Sequence, residues 1–174
     1  MSFQVVRINT TPVKGTALLQ PETVRLDSAG VHANRRFHFI DLRGAMVNGK
    51  RTGELVRLRS GYDADSNRLS ITFPDGTCIE EKVRLSDEEV STDFYGRPVR
   101  GIVVDGPWGR AVSEFAGVEL RLVHVSSDTT GTDVHPVTLI SRATMEHIRN
   151  SSNGPAARWE DRFRMLFEVD GPGP

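Results

Sequence analysis

The sequence predicts a mostly β protein with a few helices. Its 16 glycines and 9 prolines recur about every ten residues and separate short segments in which apolar and polar residues alternate. This spacing is typical of many short strands in a barrel or a sandwich. The dipeptide Asp75-Gly76 lies between two such segments and is a strong hairpin turn motif.

A β-hairpin is predicted within the stretch from Gly30 to Arg51 and is the central element of the predicted fold. The residues from Phe37 to Asp41 alternate with the period of a strand. A short turn follows that ends at Gly44, and Met46 lies on the predicted return strand.

Further strands and two helices are expected in chain order. The predicted strands are 3–9, 18–26, 54–59, 68–73, 78–83, 99–104, 118–125, 137–140 and 164–169, and the polar residues 86–93 are predicted as a loop. Residues 107–115 have helical spacing, with Gly117 in the region of the C-cap. Ser141 is suited to cap a second helix that runs to about Asn150.

Composition narrows the functional class. With 37% hydrophobic and 26% charged residues and a formal net charge of -1, the chain is typical of a soluble globular protein and has no global field to attract nucleic acid or an anionic membrane. No apolar run approaches the roughly 20 residues needed to span a bilayer. No secretion signal is evident. A single cysteine agrees with a reducing compartment, so we expect a cytoplasmic protein without nucleic-acid or membrane partners.

The usual catalytic and metal motifs are missing from the sequence. Cys78 follows the Asp-Gly turn without a histidine nearby, so we expect a plain strand residue. The five histidines lack metal-ligand spacing, and no metal ligand is predicted. His135 is the most suggestive of them, because it lies with Asp133 in a loop directly before a proline-led strand.

Positively charged residues recur where loops meet strands. Fixed guanidinium groups suit planar or phosphorylated anions, because their parallel donors match such groups. If the cations converge on one cleft, they can hold a phosphate and an electron-rich heterocycle. The alternative is that they are solvated loop charges. The set is Lys14, Arg35, Arg36, Lys50, Arg51, Arg162 and Arg164.

Several segments resemble a known family. The runs VVRINTTPVKG, GVHANRRFHFID, LRGAMVNGKRTGELVRL and RLSITFPDG resemble the N-terminal β-barrel domain found with MOSC domains. The runs HPVTLISRATMEHI and RFRMLFEVDG resemble the opening of the MOSC domain itself. The resemblance implies an N-terminal MOSC-type β-barrel over residues 1–125, followed by the incomplete start of a MOSC β-barrel domain over residues 126–174.

The resemblance also implies a cofactor and a site. MOSC proteins bind the molybdenum cofactor (molybdopterin) or carry sulfur, and the family's sulfurases use pyridoxal phosphate through a separate domain. The implied cofactor-binding residues are Lys14 and Arg35 at the phosphate end, with Gly15 beside the lysine, the stretch Asp133, Val134 and His135 before the proline-led strand, and Arg164.

The chain departs from the family pattern at several positions. Gly15 stands where the family has a serine, and Asn34 where it has an aspartate. Met165 and Leu166 replace a Pro-Asn pair. The family's reactive cysteine is expected beyond Pro174, so no catalytic residue is assigned within the chain and the 174 residues alone are expected to be inactive.

Two functions are therefore predicted. A third interpretation is a structural β-barrel in which the arginines are surface charges at the rim. The first is a molybdenum-cofactor-binding MOSC protein in molybdopterin-dependent redox or sulfur transfer. Its full-length form would be an oxidoreductase or a sulfur transferase, with the small-molecule cofactor and a redox partner protein as partners. The alternative is a non-catalytic β-barrel module for anion binding or docking that has lost the metal site.

Overall fold

The computed structural model describes residues 2–28, 30–126, 130–151 and 159–171. Within these ranges, strands dominate and are joined by two α-helices and two short 3-10 helices. The strands are β1 (Gln4–Ile8), β2 (Leu26–Asp27), β3 (Gly30–Val31), β4 (Phe37–Ile40), β5 (Met46–Val47), β6 (Arg59–Asp63), β7 (Arg68–Thr72), β8 (Cys78–Lys82), β9 (Arg84–Phe94), β10 (Arg97–Asp105), β11 (Arg121–Val125), β12 (Leu139–Ser141) and β13 (Phe167–Asp170). The helices are α1 (Trp108–Ala116) and α2 (Arg142–Ser151), and the 3-10 helices span Gly53–Arg57 and Trp159–Arg162. The prediction of a mostly β fold with a few helices is confirmed.

The described strands form four sheets. The largest has the order β5-β4-β11-β10-β9, and the others have the orders β1-β13-β12, β6-β7-β8 and β2-β3. β12 and β13 pair in parallel, whereas β4 pairs antiparallel with both of its neighbours. The edge strands β5 and β9 of the largest sheet contact each other, so this sheet curls. In the described part of the chain, the sheets do not close into one continuous barrel.

The hydrophobic core lies between the largest sheet, the β6-β7-β8 sheet and α1. Phe37 and Phe39 come from β4, Leu69 comes from β7, and Trp108 and Val112 come from α1, each at most 1% exposed. All four residues of β4 are buried, because this strand lies inside the sheet and is covered on both faces. The first strand of the hairpin therefore runs through the centre of the molecule.

Local sequence signals predicted several elements correctly. β4 and β5 pair antiparallel around the expected turn, and β7 pairs with β8 around Gly76, which has a φ of 88°. Helix α1 ends at Gly117, whose left-handed φ of 67° suits glycine at this position. The backbone N–H of Thr144 donates to Ser141 Oγ at 3.0 Å, so Ser141 caps α2 as expected.

The strand predicted over 54–59 is wrong. Residues 53–57 form a 3-10 helix, and β6 begins only at Arg59. Leu55 and Leu58 are both fully buried. Leu55 lies in the 3-10 helix and Leu58 is its extended C-cap residue, so the burial of both does not come from the strand alternation that the sequence suggested.

The loop predicted over 86–93 is also wrong. β9 covers these residues as an eleven-residue strand that pairs antiparallel with β10. Ser86 and Val90 are partly buried, and Thr92 is buried, so the period of two is carried mainly by small side chains between acidic ones. Similarly, the strand predicted over 18–26 reduces to a single bridge between Thr10 and Leu19 and the short strand β2.

The first and last described strands pair with each other. β1 lies antiparallel to β13, with Gln4 opposite Asp170 and Ile8 opposite Phe167. The segments before and after residue 126 therefore share a sheet, and the predicted division into domains stays a prediction. Within the described residues, no helix combines the length and the apolar composition needed to cross a bilayer.

Candidate functional site

The segment that carries Lys14 lies alongside the start of β4. Val13 forms a parallel bridge with Phe37, and the backbone N–H of Lys14 donates to the carbonyl of Phe37 at 2.8 Å. The N–H of Arg35 donates to the carbonyl of Thr11 at 2.7 Å. This pairing brings Lys14 and Arg35 together, although they are 21 positions apart in the chain.

The turn after Lys14 is fixed by a hydroxyl and a glycine. Thr16 Oγ1 donates to the carbonyl of Val13 at 2.8 Å. Gly15 has a φ of 96°, and a Cβ built there would make only ordinary contacts, the nearest at 3.5 Å. The backbone conformation, rather than a lack of space, therefore favours glycine over the serine of the family pattern.

Arg164 reaches the same place from the other end of the chain. The N–H of Asn9 donates to the carbonyl of Leu166 at 2.8 Å and ties the end of β1 to the residues before β13. One guanidinium nitrogen of Arg164 donates to the carbonyl of Thr16 at 2.6 Å. Arg35 donates to the carbonyl of Arg164 at 3.0 Å. The two arginines are therefore held by backbone carbonyls.

A third segment brings a carboxylate to these cations. The guanidinium of Arg97 donates to the carbonyl of Thr132, which holds the loop before Asp133. A Cβ at Gly131 would overlap the carbonyl oxygen of Arg35, so only glycine permits this close approach of the two backbones. Asp133 consequently lies against Lys14 and Arg35.

Lys14 is a buried cation with three partners, the first of which is the carbonyl of Gly131 at 3.4 Å. Its Nζ lies 2.6 Å from Asp133 Oδ1, and the lysine and aspartate side chains are 7% and 44% exposed. The same Nζ lies 4.8 Å from the centroid of the Phe94 ring, which adds a cation–π contact. Burial and, to a smaller extent, the charge of Arg35 lower the pKa of Lys14 to about 8, against the opposing effect of Asp133.

The two arginines are also partly desolvated. Burial lowers the pKa of Arg35 below its ordinary value, against the opposing effect of Asp133. Burial and, to a smaller extent, the charge of Arg35 lower the pKa of Arg164 to about 10. Both stay charged at neutral pH. Lys14, Arg35 and Arg164 are hereafter called the inner cations. Asp133 contacts Lys14 and Arg35, and the charges of Asp161 and Asp133 both oppose the lowered pKa of Arg164.

The inner cations line a cavity of about 750 Å³. Every cofactor-binding residue predicted from the resemblance lies in its wall, so the segments that carry them converge in space. That these residues contact a cofactor stays a prediction. The seven residues are Lys14, Gly15, Arg35, Asp133, Val134, His135 and Arg164.

The other cations noted in the sequence divide between this cavity and the surface. Lys50 and Arg162 line the cavity, whereas Arg36 lines a smaller cavity of about 290 Å³. Arg51 forms an ion pair with Asp41 at 2.9 Å instead. Of the neighbours Arg35 and Arg36, only Arg35 therefore lines the larger cavity. Of Lys50 and Arg51, only Lys50 does.

The departures from the family pattern have structural consequences. Asn34 Oδ1 accepts from the backbone N–H of Thr11 at 3.0 Å, so its amide helps to fix the Lys14 segment. Leu166 is 4% exposed and serves as an apolar part of the wall. A polar side chain of the family pattern is thus replaced by a buried hydrocarbon.

Sequence reasoning missed the contribution of the β9–β10 hairpin. Phe94 lies under Lys14, and the next residue, Tyr95, lines the cavity. Gly96 before the β-branched strand is an available turn signal. The loop predicted over 86–93 leaves this glycine without a preceding strand, so the sequence does not predict the hairpin.

The remaining candidates are the cysteine and the side chains that could bind a metal ion. Cys78 is exposed on β8 and is not part of the cavity wall. Among the described residues, no group of three or more His, Cys, Asp or Glu side chains is arranged to hold a metal ion.

Comparison with known proteins identifies relatives. The family model of the MOSC N-terminal beta barrel domain matches residues 2–105. The molybdenum cofactor sulfurase of Drosophila willistoni is 22% identical over 176 residues, which cover 94% of this chain and 22% of the relative. The molybdenum cofactor sulfurase of Drosophila melanogaster is 25% identical over 175 residues, which cover 91% of this chain and 22% of the relative. The chain thus spans about a fifth of the length of these curated relatives.

A solved structure is also similar over part of the chain. It is the solution structure of the protein coded by a gene locus of Bordetella bronchiseptica, with 17% sequence identity and a TM-score of 0.42. The match covers 63% of this chain and 93% of that chain.

Proposed function

Because this chain belongs to the family of the MOSC N-terminal beta barrel domain, we propose that its cavity binds the molybdenum cofactor in molybdopterin-dependent redox or sulfur transfer. The convergence of the inner cations on one cavity is the observation that carries the proposal. The relatives named molybdenum cofactor sulfurase support the choice of cofactor.

The residues present fit the phosphorylated end of such a cofactor. A phosphate carries up to two negative charges and accepts several charge-assisted hydrogen bonds. Lys14, Arg35 and Arg164 supply cationic donors that are already held by the backbone, so little side-chain entropy is lost on binding. The nearby carboxylates of Asp133 and Asp161, the latter also paired with Arg7, balance at most two of the three charges.

The remaining wall suits the heterocyclic part. Asp133 and His135 offer polar groups that a pterin ring can pair with, and the exposed Val134 offers apolar area beside them. When bound, the cofactor would supply metal-centred redox or sulfur chemistry. The role of this chain's own side chains is to bind the cofactor, orient it and exclude water from its anionic end.

The non-catalytic alternative, an anion-binding or docking module, uses the same cations. It is favoured by Gly15 and Leu166, which replace polar residues of the family pattern in the cavity wall. The two candidates differ in whether molybdenum accompanies the bound pterin.

The proposal is tested by cofactor content. The chain is produced in a host that makes the molybdenum cofactor. Released pterin is measured by fluorescence after oxidation, and molybdenum by mass spectrometry. We expect pterin in the wild-type protein and a loss of about tenfold or more in Arg35→Ala, because a charge-assisted hydrogen bond contributes about 1.5–3 kcal/mol.

Arg110→Ala is the matched control, because Arg110 is exposed on α1 and is not part of the cavity wall. It is expected to retain the wild-type content of pterin. A wild-type protein without pterin, or an Arg35→Ala variant with undiminished pterin, contradicts the proposal. Pterin without molybdenum favours the non-catalytic alternative.

A further inference from the structure

The hairpin between β9 and β10 turns through a strained residue. Tyr95 and Gly96 have φ values of 56° and 89°, and Asp93 Oδ1 accepts from the N–H of Gly96 at 2.9 Å. Two positive φ values in a two-residue hairpin turn are typical of type I′, in which asparagine, aspartate or glycine is preferred at the first position. A bulky aromatic residue is disfavoured there.

Strained residues concentrate at the cavity. Among the described residues, five other than glycine have a positive φ. Three of them, Arg35, Tyr95 and Arg164, line the cavity. Strained backbone of this kind is concentrated at ligand-binding sites, where it fixes a side chain in place. The two arginines already have a proposed ligand, whereas Tyr95 has none.

The Tyr95 side chain is held although it is 56% exposed. Asn48 Nδ2 donates to the tyrosine hydroxyl at 3.2 Å. Lys50 Nζ lies over the ring at 5.3 Å from its centroid. The hydrogen bond holds the hydroxyl and the ammonium lies over one face of the ring, so the ring is oriented. Tyr95 and Lys50 both line the cavity.

The hairpin also connects the tyrosine to the inner cations. Phe94 is fully buried and packs under Lys14, and Tyr95 follows it directly. The cavity wall therefore contains both a buried cation, Lys14, and an exposed aromatic ring, Tyr95. This arrangement suits a ligand with an anionic group at one end and a planar ring at the other.

We propose that Tyr95 determines ligand specificity by stacking on the planar heterocycle of a phosphorylated ligand whose anionic end binds the inner cations. The ligand ring stacks on the face of Tyr95 that Lys50 does not cover. Aromatic stacking on a planar base is favourable for any ring with a π-face. The inference rests on the proposed function and deepens it, because it assigns the ring-binding residue of the same cavity.

Two matched probes separate ring binding from anion binding. They are 6-hydroxymethylpterin diphosphate and inorganic pyrophosphate, which share the anion and differ in the ring. Isothermal titration of the full chain is expected to show tighter binding of the pterin compound. Tyr95→Ala is expected to weaken the pterin compound about tenfold and to leave pyrophosphate affinity within about twofold. Tyr95→Phe is expected to retain both affinities, because the ring remains.

Tyr95→Gly adds a readout that a merely structural role would not give. Glycine relieves the left-handed strain, so the unfolding temperature is expected to equal or exceed that of the wild type. The affinity for the pterin compound is expected to fall as in Tyr95→Ala. Ring binding would then fall without a loss of stability.

The inference is overturned if Tyr95→Ala binds the pterin compound like the wild type, or loses equal affinity for both probes. It is also overturned if the ring adds nothing to wild-type affinity while pyrophosphate still binds, a result that leaves the anion site intact. Failure of the proposed function looks different. In that case the wild type binds neither probe, or Arg35→Ala retains full affinity for pyrophosphate.

Discussion

Two ion pairs of the same charge type lie in contrasting regions of the molecule. In the cavity, Lys14 and Asp133 are 2.6 Å apart, with the lysine side chain only 7% exposed. On the outer side of α1, Arg110 and Glu114 are 3.2 Å apart, with side chains 87% and 69% exposed. The first pair is desolvated at the cation, whereas the second remains in water.

The two cations differ in how much their charge depends on partners in the protein. Water solvates Arg110 whether or not Glu114 is present, so the surface pair adds little stability. Lys14 has exchanged most of its water for one carboxylate, one carbonyl and an aromatic ring. A cation kept in such a place at a cost to stability is typical of a binding site. The predictions below test this contrast.

The largest expected effect concerns the pH dependence of stability. Burial lowers the pKa of Lys14 from 10.5 to about 8, so between these pH values the unfolded state binds more protons than the folded state. The free energy of unfolding therefore gains up to about 3 kcal/mol from this residue as the pH rises through that window. Urea unfolding at both ends of the window measures the gain.

Lys14→Met is the matched control for this effect, because it keeps the apolar stem without the charge. Its stability is expected to show a smaller rise with pH than that of the wild type. Equal rises in the two proteins would mean that Lys14 is not desolvated as the structure describes.

The second effect is the loss of the compensating carboxylate. Asp133→Asn leaves Lys14 and Arg35 without an anion, and we expect about 1–2 kcal/mol of destabilisation at neutral pH. The figure is below that for a fully buried pair, since Asp133 is 44% exposed. Added inorganic phosphate is expected to restore stability in this variant more than in the wild type. Thermal unfolding with and without phosphate checks both statements, and an unchanged unfolding temperature would contradict the first.

A third effect concerns the backbone conformation of two glycines, one in the cavity wall and one outside it. Gly15 in the cavity wall has a φ of 96°, so Gly15→Ala is expected to destabilise the protein by about 1 kcal/mol. Gly53 has an ordinary φ and open space around its Cα. Gly53→Ala is therefore the control and is expected to change the free energy of unfolding by less than about 0.5 kcal/mol. If urea unfolding shows similar effects for both substitutions, the left-handed backbone of Gly15 is not the reason why glycine is favoured there.

The smallest effect is expected at the surface pair. Glu114→Gln removes the partner of Arg110 and is expected to cost about 0.3 kcal/mol, because exposed helical pairs at this spacing contribute little. The loss should vanish at about 1 M salt, where screening is strong. A salt-independent loss of more than about 1 kcal/mol would show that solvent exposure does not explain the difference in energy between the surface pair and the cavity pair.

Local motifs made part of the fold predictable from sequence. The Asp75-Gly76 turn, the cap at Ser141 and the glycine after α1 each act through neighbouring residues, so their structural effect follows from spacing alone. The misassigned segments depended on distant partners. Residues 86–93 form a strand because β10 pairs with them, and their exposed acidic side chains gave no local indication of it.

The candidate site shows the same division. The sequence by itself determined that Lys14, Arg35 and Arg164 stand at loop ends, and the resemblance grouped them with Asp133, Val134 and His135. Only the tertiary structure decided that they share one cavity and that Tyr95 belongs to it. The physical reason is that long-range backbone hydrogen bonds, such as that from Arg35 to Thr11, set the distances between these side chains, and such pairing leaves no periodic pattern in the chain.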